Sequence, residues 1–272
     1  MKVLKKISKK NLFELYSEII SVIVGIESFV EIFIEISFDY KMIAVILNLT
    51  LFIIVFVVVV VYANHMDEVT LNLDSVKLVV KFGDMFSEQG KKVISCNEYF
   101  DSVVDETLIS SKSLHGYVMN TYITDVDDFD KKLVSYEGCN KNILGKNRKK
   151  TLGKQIKYKL GTCFKYQDFV FVAFTKFDDK YRAYLDLPSY FFCVSNFWND
   201  LNRVYNGDNI VVPLMGSGIT RMENNSLSKQ EQLQIFIDAL KASNLSFKHD
   251  SKITVVLSEK LRDEIKLFNI RR

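Results

Sequence analysis

The chain has 272 residues, is 48% hydrophobic and 25% charged, and carries a formal net charge of +3. So small a positive excess does not imply nucleic acid as the main partner, and no nucleic-acid partner is expected. Cys96, Cys139, Cys163 and Cys193 form no C-x-x-C pair and His65, His115 and His249 stand far apart, which excludes zinc-type spacing and a dense disulfide framework; no metal and no cofactor are expected, and a reducing compartment fits.

Hydrophobicity is concentrated in the first quarter. Residues 11–38 are apolar but include Glu14, Glu18, Glu27, Glu31 and Glu35. At 100° per residue, Glu27, Glu31 and Glu35 fall within an arc of about 80°, flanked by Ser17, Ser21, Gly25 and Ser28, so one helix side is acidic or small and the other is Ile, Val and Phe. Carboxylates at mid-bilayer cost about 2.5–3.5 kcal/mol each, and small residues at four-residue spacing let helices approach closely. This pattern predicts a membrane helix over about 12–38 whose Glu27, Glu31 and Glu35 face an oligomer contact or pore; an amphipathic helix lying in the interface is the alternative. Residues 42–63, MIAVILNLTLFIIVFVVVVVYA, are uncharged. As a helix they span about 33 Å against a hydrocarbon core of about 30 Å, which predicts a second crossing. Lys2, Lys5, Lys6, Lys9 and Lys10 precede the first helix and only Lys41 lies in the 39–41 connection, so the N-terminus is expected in the cytoplasm, and two spans return the rest of the chain there. The expected organisation is a multi-pass anchor over 1–66, in contact with membrane lipid, and a soluble domain over 67–272.

After a polar linker at 64–75, β-branched runs at 76–82, 92–96, 169–175, 209–213 and 252–258 alternate with helical patterns at 188–206, 228–243 and 259–268. Ser228 and Glu231 have capping-box spacing. The alternation predicts an α/β fold, in which ligands bind beyond the strand carboxyl ends. Three such ends carry candidate chemistry. Leu214-Met215-Gly216-Ser217-Gly218 can present backbone N–H groups to a phosphate or simply turn. Asn97 and Asp101 can hydrogen-bond sugar hydroxyls or form Asx turns, and Gly83-Asp84 has the same two readings. The basic stretch 141–159 reads as a solvated loop in preference to a headgroup or nucleotide contact. Trp198 and the Phe191-Phe192 pair read as core packing on a helix.

Taken together, Gly83-Asp84, Asn97 and Gly216-Ser217-Gly218-Ile219 resemble the macrodomain, a three-layer α/β/α sandwich with a mixed sheet that binds ADP-ribose. More specifically, CNEYFD (96–101), SLHG (113–116), LGT (160–162), TKFDDKYRAYL (175–185) and PLMGSGITR (213–221) resemble the divergent macrodomain of Thoeris antiphage defence effectors. That resemblance implies an immune effector with two transmembrane helices in the bacterial inner membrane and its macrodomain in the cytoplasm. Such an effector senses an ADP-ribose-derived signal, such as histidine-ADP-ribose, made by a partner TIR-domain NADase, then forms a homo-oligomer and disrupts the membrane to cause abortive infection. It also implies site roles: Asp84 for the adenine amino group, Asn97 beside the distal ribose, Gly216, Ser217, Gly218 and Ile219 around the diphosphate, and Ser113, Leu114, His115 and Gly116 as the second phosphate-facing loop. Thr220, Arg221 and Asp101 would serve the distal group or the loops. The ordinary N-A-A-N run is reduced here to Ile94-Ser95-Cys96-Asn97 with no triple-glycine loop following, which speaks against catalytic residues and for a non-enzymatic role. A membrane-tethered macrodomain hydrolase acting on ADP-ribosylated targets or ADP-ribose derivatives is the alternative.

Overall fold

The computed structural model describes residues 7–34, 37–73, 76–218, 221–222, 227–244 and 251–270. Two compact units form, one of Met1–Val69 with Lys266–Arg272 and one of Thr70–Ile265. The extreme C-terminus, which the sequence reading places with the soluble domain, thus clusters with the N-terminal helices.

In the first unit, α1 (Lys9–Glu31) starts at Ser8, whose hydroxyl accepts from the Asn11 amide at 3.3 Å, and α2 runs over Phe38–Asn64. Tyr16 meets Phe56 edge-on at 5.7 Å and Glu27 lies opposite Asn48, so the helices run antiparallel. The first helix ends earlier than the expected 12–38 span. Ser37 adopts the extended N-cap conformation, so the turn falls before Phe38 and not at 39–41. Among the described residues one helix, the 25-residue Tyr40–Asn64 with mean hydropathy 3.2, is long and apolar enough to cross a membrane. The glutamates of α1 keep it from meeting the same measure.

The second unit begins within β1 (Glu68–Leu73), and β2 (Val76–Phe82) and β3 (Lys91–Asn97) then lead to helices α3 (Leu114–Thr121), α4 (Val126–Ser135) and α5 (Glu137–Asn140). A hairpin of β4 (Ile143–Lys146) and β5 (Ile156–Tyr158) follows, then β6 (Cys163–Tyr166), β7 (Phe169–Phe177), β8 (Ala183–Leu185) and α6 (Leu187–Val204). The chain continues through β9 (Ile210–Pro213), β10 (Arg221–Met222), α7 (Lys229–Lys241) and β11 (Lys252–Leu257). The main sheet is ordered β1-β2-β11-β9-β3-β7-β8-β10, with β6 beside the first half of β7. Strands β2, β11, β9, β3 and β7 are mutually parallel, while β6 and β8 run antiparallel to β7, which makes the sheet mixed.

Both sheet faces are covered, which is why the first six residues of β7, FVFVAF, read as an unbroken apolar run. Phe169, Phe171 and Ala173 pack with Val118, Phe129 and Leu133 of α3 and α4. On the other face Phe174 meets Tyr190 of α6 at 6.0 Å, and Trp198 donates to the Phe236 carbonyl of α7 at 3.0 Å. The capping box at Ser228 and Glu231 is formed.

Four local expectations are corrected. The linker at 64–75 contains β1, whose Val69 and Leu71 alternate inward. The helix expected at 259–268 is instead two 3-10 turns, Glu259–Leu261 and Leu267–Asn269, because Leu261, Ile265, Leu267, Phe268 and Ile270 are all buried, a spacing one helix face cannot supply. Phe191 and Phe192 are 46% and 51% exposed, since the buried stripe of α6 is Tyr190, Cys193, Val194, Phe197, Trp198, Leu201 and Val204. The basic stretch is an ordered hairpin, and Lys150 within it is buried.

Trp198→Ala is expected to cost about 3–5 kcal/mol through the cavity it leaves, whereas Phe191→Ala should change stability by less than about 0.5 kcal/mol. Denaturant midpoints of the full-length chain check both.

Candidate functional site

Because five neighbouring strands are parallel, their carboxyl ends share one edge of the sheet. Asp84 follows β2, Asn97 ends β3, Phe177 ends β7 and Leu214 follows β9. The register between β3 and β7 slips there: Cys96 pairs with Ala173 but Asn97 with Thr175. A bulge of this kind re-aims the side chain at a strand end. The Asn97 Oδ1 accepts from the amides of Tyr99 at 3.0 Å and Asp101 at 3.4 Å, which leaves its Nδ2 as the end free to donate.

A cavity of about 300 Å³ opens beside Asn97 and is lined also by Glu106, Ser113, His115, Thr175 and Arg182. Phe177 and Tyr181 line both this cavity and a neighbouring hollow of about 200 Å³, whose lining also includes Lys149, Asp178 and Asp179. The wall at 105–113 is tied by its own side chains. Asp105 Oδ1 accepts from the amides of Thr107 and Leu108, and Glu106 accepts from the Ser110 hydroxyl at 3.0 Å and the Ser111 amide at 2.9 Å. These bonds to Ser111 and Ser110 hold the Glu106 carboxyl below the usual carboxylate range. Ser113 caps α3 by accepting from Gly116 at 2.9 Å while donating to the Ser110 carbonyl at 2.6 Å. Gly116 admits no side chain, because a Cβ there would sit 2.2 Å from the Ser110 oxygen.

His115 is 5% exposed, and its Nε2 has no hydrogen-bond partner among the described residues. Burial first, and the Lys154 charge second, push its pKa down to about 3, so the imidazole is neutral at physiological pH. It therefore offers a neutral donor or acceptor at the cavity wall.

Asp101 lies behind this wall and is 1% exposed. Its oxygens accept from Lys150 Nζ at 3.1 and 3.0 Å and from the Lys154 amide at 2.7 Å. Burial raises its pKa, against the Lys154 amide and the Lys150 charge, which lower it. Lys154 Nζ also binds the Phe100 carbonyl, and Lys157 pairs with buried Glu98 at 3.1 Å. The basic hairpin is therefore a strap whose lysines grip residues 98–101.

Asp84 is exposed and caps the 3-10 turn Met85–Ser87, accepting from the Phe86 amide at 3.0 Å. Gly216 has φ +81° and a Cβ there would meet Gln232 Nε2 at 2.6 Å, so glycine is required. Ser217 donates its hydroxyl to the Leu214 carbonyl at 2.6 Å, and Gly218 has open space around it. Ile219 and Thr220 lie outside the described residues, as does Glu35; Arg221 is described only as backbone paired with Tyr184. Of the residues expected at the site, Asn97, Ser113 and His115 line one cavity, Asp101 supports it, Leu114 packs on the core, and Asp84 and the 216–218 turn stand at other strand ends of the same edge. Thr175, Tyr181 and Arg182 belong to a motif the resemblance quotes without assigning them a role. Glu106 has no local sequence signal.

In the first unit, the Asn48 amide, turned with its nitrogen toward α1, donates to the two Glu27 oxygens at 2.6 and 3.1 Å. Glu27 thus has a partner within its own chain, while Glu31 is exposed at the end of α1.

A mixed sheet covered by helices on both faces, with its cavity at the carboxyl ends of the parallel strands, is a macrodomain-like α/β module. Residues 78–258 match the family described as Thoeris protein ThsA, Macro domain. The Thoeris protein ThsA of Bacillus amyloliquefaciens (strain Y2) is 34% identical over 211 residues, covering 76% of this chain and 70% of its own. The chain belongs to the Thoeris ThsA macrodomain family. Among solved structures it is similar to a variant of the Oceanobacillus iheyensis macrodomain (TM-score 0.47, 11% identity, 72% of this chain and 92% of that one). The same macrodomain with ADP gives a TM-score of 0.45 at 12% identity, covering 73% of this chain and 93% of that one.

Asp101→Ala is expected to cost about 3–5 kcal/mol, because it strands the buried Lys150 ammonium. For His115 the folded pKa lies below the ordinary 6.5, so the unfolded chain binds more protons and stability falls as pH drops below about 6.5 toward 3. The penalty is about 2 kcal/mol at pH 5, and His115→Phe should remove that part of the acid sensitivity in thermal melts between pH 7 and 5.

Proposed function

We propose that the chain is an antiphage immune effector whose macrodomain binds an ADP-ribose-type signal and whose helical hairpin acts on the membrane. The observation that carries this reading is the cavity at the end of β3, where Asn97, Ser113 and His115 converge in a chain of the Thoeris ThsA family. Its size suits the ribose end of a nucleotide, with the Asp84 and 216–218 ends of the same sheet edge left for adenine and diphosphate.

The titratable groups favour a binder over an enzyme. A general acid or base works best with a pKa near the operating pH. Glu106 is held ionised by Ser111 and Ser110, and His115 is neutral with a pKa of about 3, so neither is poised to move a proton near neutrality.

Both helices are assigned to the inner membrane, with the N-terminus and macrodomain in the cytoplasm. The apolar length of α2 supports its crossing, and the Glu27–Asn48 pair supports the crossing of α1 by giving a mid-helix carboxylate a partner inside the hairpin. Glu31 and Glu35 then remain for contacts between copies. A TIR-domain NADase supplies the signal in this reading. The signal drives a homo-oligomer by binding the assembled state more tightly than the resting one, and the assembly breaches the membrane.

Titrating the full-length protein in liposomes with histidine-linked ADP-ribose tests the scheme. Saturable binding with dye leakage and an intact ligand is expected; steady hydrolysis would favour an enzyme, and leakage independent of ligand would sink the sensor. Asn97→Ala should weaken binding at least tenfold. Glu31→Ala with Glu35→Ala should abolish leakage while saturable binding persists at the weaker affinity of the unassembled state.

A further inference from the structure

The end of the chain returns to the start of α1. Asn269 Oδ1 accepts from the Ser8 amide at 2.7 Å, and Asn11 Nδ2 donates to the Phe268 carbonyl at 2.9 Å. Phe268 is 9% exposed and packs in one cluster with Ile7 and Leu12 at the start of α1 and with Val59 and Ala63 near the end of α2. A short terminal segment therefore touches the base of both helices at once.

The chemistry of these contacts is specific. Ser8 is the N-cap of α1, and its amide is one of the donors a helix leaves without an internal partner. In a capping box, the side chain three positions on reaches back to that amide. Here the residue at that position is Asn11, which reaches the tail instead, and the tail's Asn269 takes the N-cap amide. The first turn of α1 is thus completed by residues 257 and 261 positions away in sequence. Covalently, the same tail continues β11, which ends at Leu257, so residues 258–265 join it to the sheet whose strand ends carry the candidate site.

We propose that residues 266–270 are a clasp that closes the base of the α1–α2 hairpin in the resting protein, and that its release frees α1 to exchange its partner within the chain for contacts with other copies. The inference rests on the functional reading above and adds the element that restrains the hairpin. Two hydrogen bonds and one aromatic anchor are a contact that a ligand's differential affinity for two states can overcome. Opening the clasp takes the tail partners from the Ser8 amide and the Asn11 side chain and exposes Leu12 and Val59 together, so release and availability for assembly are one event.

A cysteine pair tests it in the full-length chain in liposomes. The four native cysteines are buried, so Ser8→Cys with Asn269→Cys reports alone. Oxidation of the resting protein is expected to give a high disulfide yield, to cut leakage triggered by histidine-linked ADP-ribose at least tenfold, and to restore it on reduction. Phe268→Ala with Asn269→Ala should raise ligand-free leakage severalfold and, because coupling is reciprocal, tighten nucleotide binding. A low disulfide yield, oxidised protein that leaks as freely as reduced protein, or an inserted alanine variant that stays silent without ligand would overturn the clasp. If the unmodified protein binds no nucleotide, the functional reading fails separately; disulfide yield and ligand-free leakage need no nucleotide and still decide the clasp.

Discussion

The candidate site depends on a carboxylate and an ammonium buried against one another. Asp101 and Lys150 are 1% and 6% exposed, and each would be costly alone in so dry a place. Their pairing fixes three segments together. Asp101 follows the Asn97 turn, and Lys150 belongs to the β4–β5 hairpin. Lys150 also lies over the rings of Tyr99 at 4.7 Å and Tyr181 at 5.8 Å, while the Tyr181 hydroxyl accepts from the amides of Thr151 and Leu152. The turn that presents Tyr181 and Arg182 to the cavity is therefore held to the same point as Asn97. Removing the pair would loosen one wall of the site without touching a residue that lines it.

This arrangement explains what could be read along the chain and what could not. The five parallel strands were legible, because strands buried on both faces are continuous β-branched runs with no helical period. So was the apolar helix α2. Strand β1 was missed although Val69 and Leu71 alternate correctly, because its intervening Glu, Thr and Asn look like a linker. The lysines at 141–159 looked solvated because a charged side chain declares nothing about its partner. Lys150 and Asp101 are 49 residues apart, and only the fold brings them together.

The site shows the same division. Asn97, Ser113 and His115 stand at strand and helix ends, where local sequence and resemblance both direct attention. Glu106 reaches the cavity through a self-tied loop whose shape comes from side-chain bonds to its own backbone, and Arg182 stands just before β8, a short antiparallel strand that pairs with the end of β7. Neither route has a periodic signature. His115 was legible as a position but not as a chemical state, since its low pKa arises from burial among groups contributed by other segments.

A neutral histidine and a pre-ionised glutamate make a wall with fixed polarity, and that has a consequence for signalling. Neither His115 nor Glu106 changes charge near neutrality, so neither makes binding at this wall depend on cytoplasmic pH. What a binding domain passes on is the ligand's preference between two conformations. In the proposed effector that difference has to reach helices in a separate compact unit. The chain enters that unit from the sheet twice, through the segment between α2 and β2 and through the residues after β11. The second connection ends on the N-cap of α1, so a small displacement there takes away the partner of the Ser8 amide, one of the donors a helix terminus leaves without an internal partner.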